Sequence, residues 1–580
     1  MLLFTLNVLC VALASAACYE PNEAHPPPNY DANDPVLQDA FAFITQSLKT
    51  AVNEPDSLAT SFSVEVTSSK ESLWSLHHTA LRRNLSRPDI PEVNGDALYR
   101  IASITKAFTV LGILYQHEAG NLSLDDPVDR YLEGLSGKQR GSIPWKDITL
   151  RTLASQLSGI PRDFAQQDLL NSNPEFGVGF NPWDLGLPPI SREGLPECDE
   201  FGENYSPPCG RKDLLKSVTS KPPLFAPKQK STYSNLAFEL LGLVIANVTG
   251  KTYEDYIHDA IFKPLDMSKS TLSKPPDSAG VIPINPQYWY VDEGIQNPTG
   301  GIYSSSTDLS KFLRYVLTHY NGITPALNWM HAVSPSEGLN SFYGTPWEIF
   351  RTDKALLKSR RAITFNAKSG GLPGYTSIIV TVPQYDIGIT ILVAGPSQAF
   401  LQIFDTVAVE VVRAAEEVAI RQLQQRYAGT YVSGDPNLNS SLTLTADHRG
   451  LVVEEFISNS TDVLNSPLLP AAGAPSDKPW FLQLTPTLLY RNETEQEGER
   501  WRFYIAEERL EGEGKVLDDF CAANVDMASY GGQPINEIVF WRSEGNVFKS
   551  AELSAFRVTL SRHDSDKHAH LSDEQGILEL

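Results

Sequence analysis

Near Tyr427 the hydrophobic pattern of this 580-residue chain changes period, and that change limits the architectures open to it. Downstream come short β-rich runs, Leu442-Thr443-Leu444, Leu451-Val452-Val453, Trp501-Arg502-Phe503-Tyr504-Ile505 and Ile538-Val539-Phe540-Trp541, separated by turn residues. Such runs place successive side chains on opposite faces of strands, so residues 427–580 are expected to form a separate β-barrel or β-sandwich. Upstream the periods are mixed. Residues 36–52 carry Leu37, Phe41, Ile44 and Leu48 at helical spacing behind Asp34-Pro35, a cap and first-turn pair. Phe62, Val64 and Val66 alternate with polar residues, and Leu73 and Leu76 follow a polar turn, which reads as a strand pair. Residues 103–118 present Ile104, Phe108, Leu111 and Leu114 on one helical face. The runs 375–382 and 387–393 are joined by Pro383-Gln384-Tyr385-Asp386 as a hairpin, and a closing helix spans 401–426. Strands, a helix-rich middle, strands and a last helix predict an α+β domain over residues 36–420, an antiparallel sheet with helices packed on it.

The composition is that of a globular chain, 41% hydrophobic and 20% charged. Lys and Arg number 47 against 70 Asp and Glu, a formal charge of −23 that disfavours nucleic-acid or anionic-membrane partners. The N-terminal apolar run ends at Ala14-Ser15-Ala16, a small-x-small pattern of the kind signal peptidase cuts. Residues 1–16 are therefore read as a signal peptide and the protein as secreted. The Pro-rich segment 17–35 reads as the exposed start of the mature chain, and no later stretch approaches the ~18 apolar residues of a membrane span. Cleavage would leave Cys18, Cys198, Cys209 and Cys521, which allow three pairings. Cys198 and Cys209 flank one loop and are the natural first pair in an oxidising compartment, with Cys18 and Cys521 as the remainder. No Cys or His spacing suits a zinc site. Asn84, Asn121, Asn204, Asn247, Asn439, Asn459 and Asn492 head glycosylation sequons, expected of a glycoprotein.

Three short segments carry chemistry. Ser103-Ile104-Thr105-Lys106 opens the predicted helix, so Ser103 and Lys106 share a face and the lysine amine can take the hydroxyl proton. A serine there also feels the positive end of the helix dipole, which stabilises developing oxyanion charge. Standing alone, the pattern is equally that of a capping serine before a surface lysine. Tyr233-Ser234-Asn235 offers a phenol to shuttle a proton and an amide to hold a substrate carbonyl. Lys368-Ser369-Gly370-Gly371 precedes the hairpin, where an edge strand could offer a lysine to substrate and glycine lets substrate approach the backbone.

In this order, with more than a hundred residues between successive motifs, Ser-x-x-Lys, Tyr-x-Asn and Lys-Ser-Gly resemble the signature of penicillin-binding proteins, class C β-lactamases and their esterase relatives. Leu153-Ala154-Ser155-Gln156-Leu157-Ser158-Gly159-Ile160 and the stretch from Pro298 to Leu309, with Gly300-Gly301 and Asp308, resemble two flanking segments of that family. The resemblance covers residues 36–412. It implies a β-lactamase/DD-peptidase-like fold, an antiparallel sheet flanked by helices plus an all-helical subdomain. It further implies Ser103 as nucleophile, Lys106 as its proton partner and Tyr233 as general base or acid of the second half-reaction. Asn235, Lys368, Ser369, Gly370 and Gly371 would then bind substrate, with the Gly371 and Ser103 amides as oxyanion donors. The C-terminal part resembles the β domain that follows the catalytic domain in secreted fungal members. Two departures stand out: Gln156-Leu157 replaces the usual His-Thr, and Lys368 stands where many eukaryotic relatives have His, so that it could recruit a carboxylate. Residues 163–210, rich in Pro and Gly, read as a lid over the site, with a plain surface insertion as the alternative.

The expected protein is thus a secreted serine hydrolase that forms an acyl-enzyme with a small-molecule ester, amide or lactam and needs no cofactor. Acyl transfer in natural-product biosynthesis uses the same intermediate and is the alternative. A non-catalytic binding module on the same fold is the second. A Ser-His-Asp hydrolase is disfavoured because the chain has no Gly-x-Ser-x-Gly elbow.

Overall fold

The computed structural model describes residues 23–135, 142–164, 182–191, 208–219, 221–285, 287–325, 327–476, 478–508, 525–542 and 547–563, with the backbone of Cys18–Tyr19 and the single residues 193 and 198. The signal peptide, the proposed partner Cys521, the sequon at Asn204 and most of the 163–210 lid lie outside the described residues. The chain divides into two compact units.

One unit comprises Phe41–Thr352 and Thr364–Ala408. It begins within helix α1 (Pro35–Val52), whose first turn is capped by the Asp34 carboxylate accepting from the Val36 N–H at 3.0 Å. Its sheet has eight strands in the order β2 (Ser72–His78), β1 (Ser61–Thr67), β10 (Ile387–Ala394), β9 (Tyr375–Val382), β8 (Ile363–Leu372), β7 (Glu348–Thr352), β6 (Ser341–Tyr343) and β5 (Ser334–Pro335). β1 and β10 pair antiparallel, Val64 opposite Ile391, and are buried along their whole lengths, so both sheet faces are covered there. The hairpin of β9 and β10 turns at Pro383–Tyr385, with Asp386 in the left-handed conformation. β8 is not the edge strand that the sequence pattern predicts. Residues 334–352 add β7, β6 and β5 beyond it, and these strands are too short to show a period.

Between β2 and β5 the chain forms the helical part: α2 (Thr105–Glu118), α3 (Leu150–Ala154), α4 (Arg211–Val218), α5 (Leu236–Thr249), α6 (Tyr253–Ile257), α7 (Asn297–Gly300) and α8 (Ser306–His319), with the short strands β3 (Tyr99–Arg100) and β4 (Tyr303–Ser304). The first ten residues of α2, Thr105 to Leu114, are buried on every side. Phe108 stacks on Phe312 of α8 at 4.2 Å and meets Phe262 edge-on at 5.7 Å. The helix that carries Lys106 is therefore the axis of this core. Cys198 and Cys209 are disulfide-bonded, Cα to Cα 4.9 Å. Among the described residues no helix is long and apolar enough to cross a membrane.

The other unit gathers residues 1–40, 353–363 and 409–580. It takes in the end of α9 (Gln398–Arg426) and a closed antiparallel barrel. Barrel strands β11 (Gly429–Ser433), β12 (Ser441–Asp447), β13 (Gly450–Ser458), β14 (Trp480–Asn492), β15 (Glu497–Glu507), β16 (Glu537–Arg542), β17 (Phe548–Leu553) and β18 (Val558–Arg562) run in the order β15-β14-β13-β12-β11-β18-β17-β16, and β16 pairs back to β15. Closure decides between barrel and sandwich and removes the free edges that would template aggregation. β12 alternates buried and half-buried residues along its length, the period read from the sequence. Tyr427, Trp501, Phe540 and Phe548 fill the interior, with Tyr427 stacked on Phe548 at 4.6 Å.

The Pro-rich lead is not the free, exposed segment that its composition predicts. Ala24 and His25 are buried, His25 Nε2 lies 3.2 Å from Glu416 Oε2, and Arg361 donates to the other Glu416 oxygen. Asn29 and Gln422 exchange two further hydrogen bonds, at 3.1 and 2.6 Å. Proline stiffens this stretch, and the His25 side chain and the Asn29 backbone N–H and carbonyl do the docking.

Candidate active site

Ser103 lies in a 3₁₀ turn, Ala102–Ile104, just before α2 rather than in the helix itself. Ala102 takes a left-handed φ of 48°, a strained conformation for a residue with a Cβ, which turns the chain sharply into the helix. Ser103 is half-buried, whereas Lys106 is fully buried. Lys106 Nζ lies 2.9 Å from Ser103 Oγ and donates to the carbonyl oxygen of Thr299, also at 2.9 Å.

That carbonyl belongs to the Pro298 to Leu309 stretch, which clamps onto α2. Ile101 N–H donates to the Ile302 carbonyl at 3.1 Å, and Thr109 Oγ1 donates to that of Pro298 at 2.6 Å. β3 and β4 pair beside it, Arg100 opposite Tyr303. A Cβ on Gly301 would fall 2.3 Å from Asn297 Oδ1, so the turn that presents the Thr299 carbonyl requires glycine.

The Tyr233-Ser234-Asn235 segment is held by the stretch that ends α3. Gln156, with a φ of 61°, accepts the Ser234 N–H on its side-chain oxygen at 2.7 Å and the Thr232 N–H on its carbonyl at 2.9 Å. Ser234 Oγ donates to the Pro161 carbonyl at 2.7 Å, and Asn235 Nδ2 donates to Asp163 Oδ1 at 2.7 Å. Tyr233 is thereby set among three basic side chains: Lys106 Nζ is 5.2 Å, Lys368 Nζ 5.4 Å and the Arg162 guanidinium 4.8 Å from its ring centre.

β8 delivers the third motif. Gly370 packs so closely on the turn before α2 that a Cβ would fall 2.3 Å from the Ile101 carbonyl oxygen and 3.0 Å from the Ser103 nitrogen. Gly371 is exposed with open space beside it. Lys368 is buried and donates to Glu348 Oε1 and, at 2.8 Å, to the Ser369 carbonyl. The Ser369 N–H and hydroxyl both donate to Glu348 Oε2, at 2.9 and 2.6 Å.

The charges follow from these positions. Burial pushes the Lys106 amine below its ordinary value, more than Tyr233 lifts it, and the nearby Lys368 charge adds to the depression. Burial would raise the Tyr233 phenol, but the fields of Lys106 and Lys368 outweigh it and hold the phenol below its ordinary value. Burial opposes the charge on Lys368 and on Glu348, and their mutual attraction wins, raising the lysine and lowering the carboxylate. Burial raises the Asp163 carboxyl.

The structure therefore brings Ser103, Lys106, Tyr233, Asn235, Lys368, Ser369, Gly370 and Gly371 to one place. Gln156, noted in the sequence as a departure, is the support of the Tyr233 segment. Asp163 reads in the sequence as the start of the lid, and its contact with Asn235 has no sequence signal. Glu348 has none either, because it lies on a five-residue strand twenty positions before Lys368.

Residues 78–412 match the family described as beta-lactamase, and residues 419–564 match a domain described as beta-lactamase-like, C-terminal. A probable hydrolase of Cochliobolus lunatus is 32% identical over 96% of this chain and 94% of its own length. A probable hydrolase of a Phoma species is 32% identical over 93% of this chain and 91% of its own. A beta-lactamase-like protein of Arthroderma benhamiae is 30% identical over 87% of this chain and 89% of its own.

Proposed function

The chain belongs to the β-lactamase family, and from that premise we propose that it is a secreted serine hydrolase that cleaves an ester, amide or lactam through an acyl-enzyme on Ser103. The observation that carries this reading is the 2.9 Å approach of Lys106 Nζ to Ser103 Oγ on a lysine buried to the last atom. A neutral amine donates one N–H to Thr299 and turns its lone pair to the serine hydroxyl. Ser103 Oγ then attacks the substrate carbonyl carbon, and its proton passes to Lys106. The oxyanion is received by the amides of Ser103 and Gly371. The leaving group departs with a proton returned through Lys106 and Tyr233. In the second half, Tyr233 hands its hydroxyl proton to the neutral Lys106 amine and takes one from water as the water oxygen attacks the acyl carbon, and Lys106 returns a proton to Ser103 Oγ as the bond between that oxygen and the acyl carbon breaks. Asn235, fixed through its Nδ2 to Asp163, lines the substrate side. Secretion is supported by the Cys198–Cys209 disulfide and by the N-terminal apolar run.

A p-nitrophenyl acyl ester tests the mechanism. Intact mass and peptide mapping should find the acyl group on Ser103, and Ser103→Ala should remove it. Turnover of the ester by Ser103→Ala at the wild-type rate would sink the reading. Methanol supplied beside water separates hydrolysis from acyl transfer through the ratio of acid to methyl ester.

A further inference from the structure

The geometry points to Glu348 as a built-in counter-anion that fits the site to acyl substrates whose leaving group carries no carboxylate. This inference rests on the acyl-enzyme reading above. A carboxylate arriving at the third motif would look for a charged ammonium, a hydroxyl and a backbone N–H, the donors that bind carboxylates best. Here those donors are already turned to one carboxylate. Lys368 Nζ donates to Glu348 Oε1, and the Ser369 N–H and hydroxyl converge on Glu348 Oε2. Glu348 is carried on β7, next to β8 in the sheet, so the anion is placed by the backbone and not by a mobile tail.

The pair also borders the open side of the site. Lys368 is 1% exposed, but the Glu348 side chain is 28% exposed, and the neighbouring Gly371 has nothing within 4 Å of the space a Cβ would fill. A substrate carboxylate would either share these donors with Glu348, placing two anions side by side in a partly desolvated place, or displace it and strand it without its partners. A neutral leaving group incurs neither cost. Lys368 stays charged beside Tyr233 in both cases, so the pair keeps the field on the phenol while cancelling the lysine's attraction for anions from solution.

Two esters differing in one charge test this: phenyl phenylacetate and 3-carboxyphenyl phenylacetate, each assayed for kcat/KM on the full chain. The wild-type protein is expected to favour the neutral ester about tenfold or more after correction for the two leaving groups' intrinsic reactivity. Glu348→Gln is expected to shrink that ratio by about tenfold, chiefly through a lower KM for the carboxylated ester. The wild-type ratio is read without any variant. Equal or preferred turnover of the carboxylated ester by the wild-type protein would overturn the inference, as would a folded Glu348→Gln protein with the ratio unmoved. If neither ester acylates Ser103 by intact mass, the acyl-enzyme reading fails and takes this inference with it. Acylation with an unmoved ratio refutes the role of Glu348 alone.

Discussion

Lys106 and Lys368 face one phenol, and their ionisations are tied to each other through it. Lys106 is useful as a base when neutral, and its depressed value means that kcat/KM for a neutral ester should rise with pH along a limb below the ordinary lysine range. Lys368→Met removes a like charge from beside Lys106. The amine then holds its proton more tightly, and the limb should move to higher pH in a pH–rate profile. A limb that moved to lower pH would show that Lys106 does not set it. Gly370 is a steric prediction of the same scale. A methyl group in Gly370→Ala would fall 2.3 Å from the Ile101 carbonyl oxygen, so the turn bearing Ser103 must shift. Misplacement of about 1 Å costs on the order of 100-fold in rate, and kcat of this variant should fall by that factor with folding retained by circular dichroism. The residues proposed to do the chemistry stand in the sequence as short ordered motifs, because Ser103 and Lys106 must sit a helical turn apart and Gly370 must be bare. Glu348 and Asp163, the carboxylates that tune Lys368 and hold Asn235, were not, since their pairings join distant elements and leave no local pattern.

At the scale of elements, the segment around Gln156 matters as much as helix α2, which carries Lys106. It is the support on which Tyr233 and Asn235 rest, through two hydrogen bonds from Thr232 and Ser234. Gln156→Ala leaves the buried Ser234 N–H without its partner, a loss of about 1–3 kcal/mol. Urea unfolding should read that loss. Mass spectrometry should show the acyl form of Ser103 persisting longer, because the segment that carries the phenol assigned to the second half-reaction has lost one of its hydrogen bonds. Helices α1, α2 and α9 and the β9–β10 hairpin were legible because each is long enough for its period to stand out. β5, β6 and β7 have two, three and five residues, below the length at which alternation can be counted. Their absence from the sequence reading is what turned β8 into an expected edge. The left-handed φ at Ala102 is likewise silent, for alanine is not a residue that marks such a turn.

The barrel unit is assembled from three separate parts of the chain, and a buried ion pair joins two of them: Arg361 and Glu416 are each 1% exposed, and His25 brings the third to Glu416. Arg361→Ala takes from the Glu416 carboxylate its guanidinium partner, leaving His25 at 3.2 Å, and should lower stability in urea unfolding by up to about 3–5 kcal/mol. The double variant Arg361→Met, Glu416→Leu should recover most of it, since an apolar pair of similar volume avoids the desolvation of both charges. The change of period near Tyr427 made the barrel legible, yet it gave no sign that residues 23–40 and 353–363 belong with it. Their placement has a consequence in time. His25 meets a residue 391 positions later, so the ribosome must deliver all of the intervening chain before the N-terminal segment can dock. The unit closes only once residues 409–563 have been made, because the last barrel strand, β18, pairs with the first, β11. Contacts of such long range slow folding, because loop closure must precede the reward of the contact. The N-terminal segment is therefore a late lock, and a nascent chain halted before Glu416 should expose residues 23–40 to protease while the finished protein shields them.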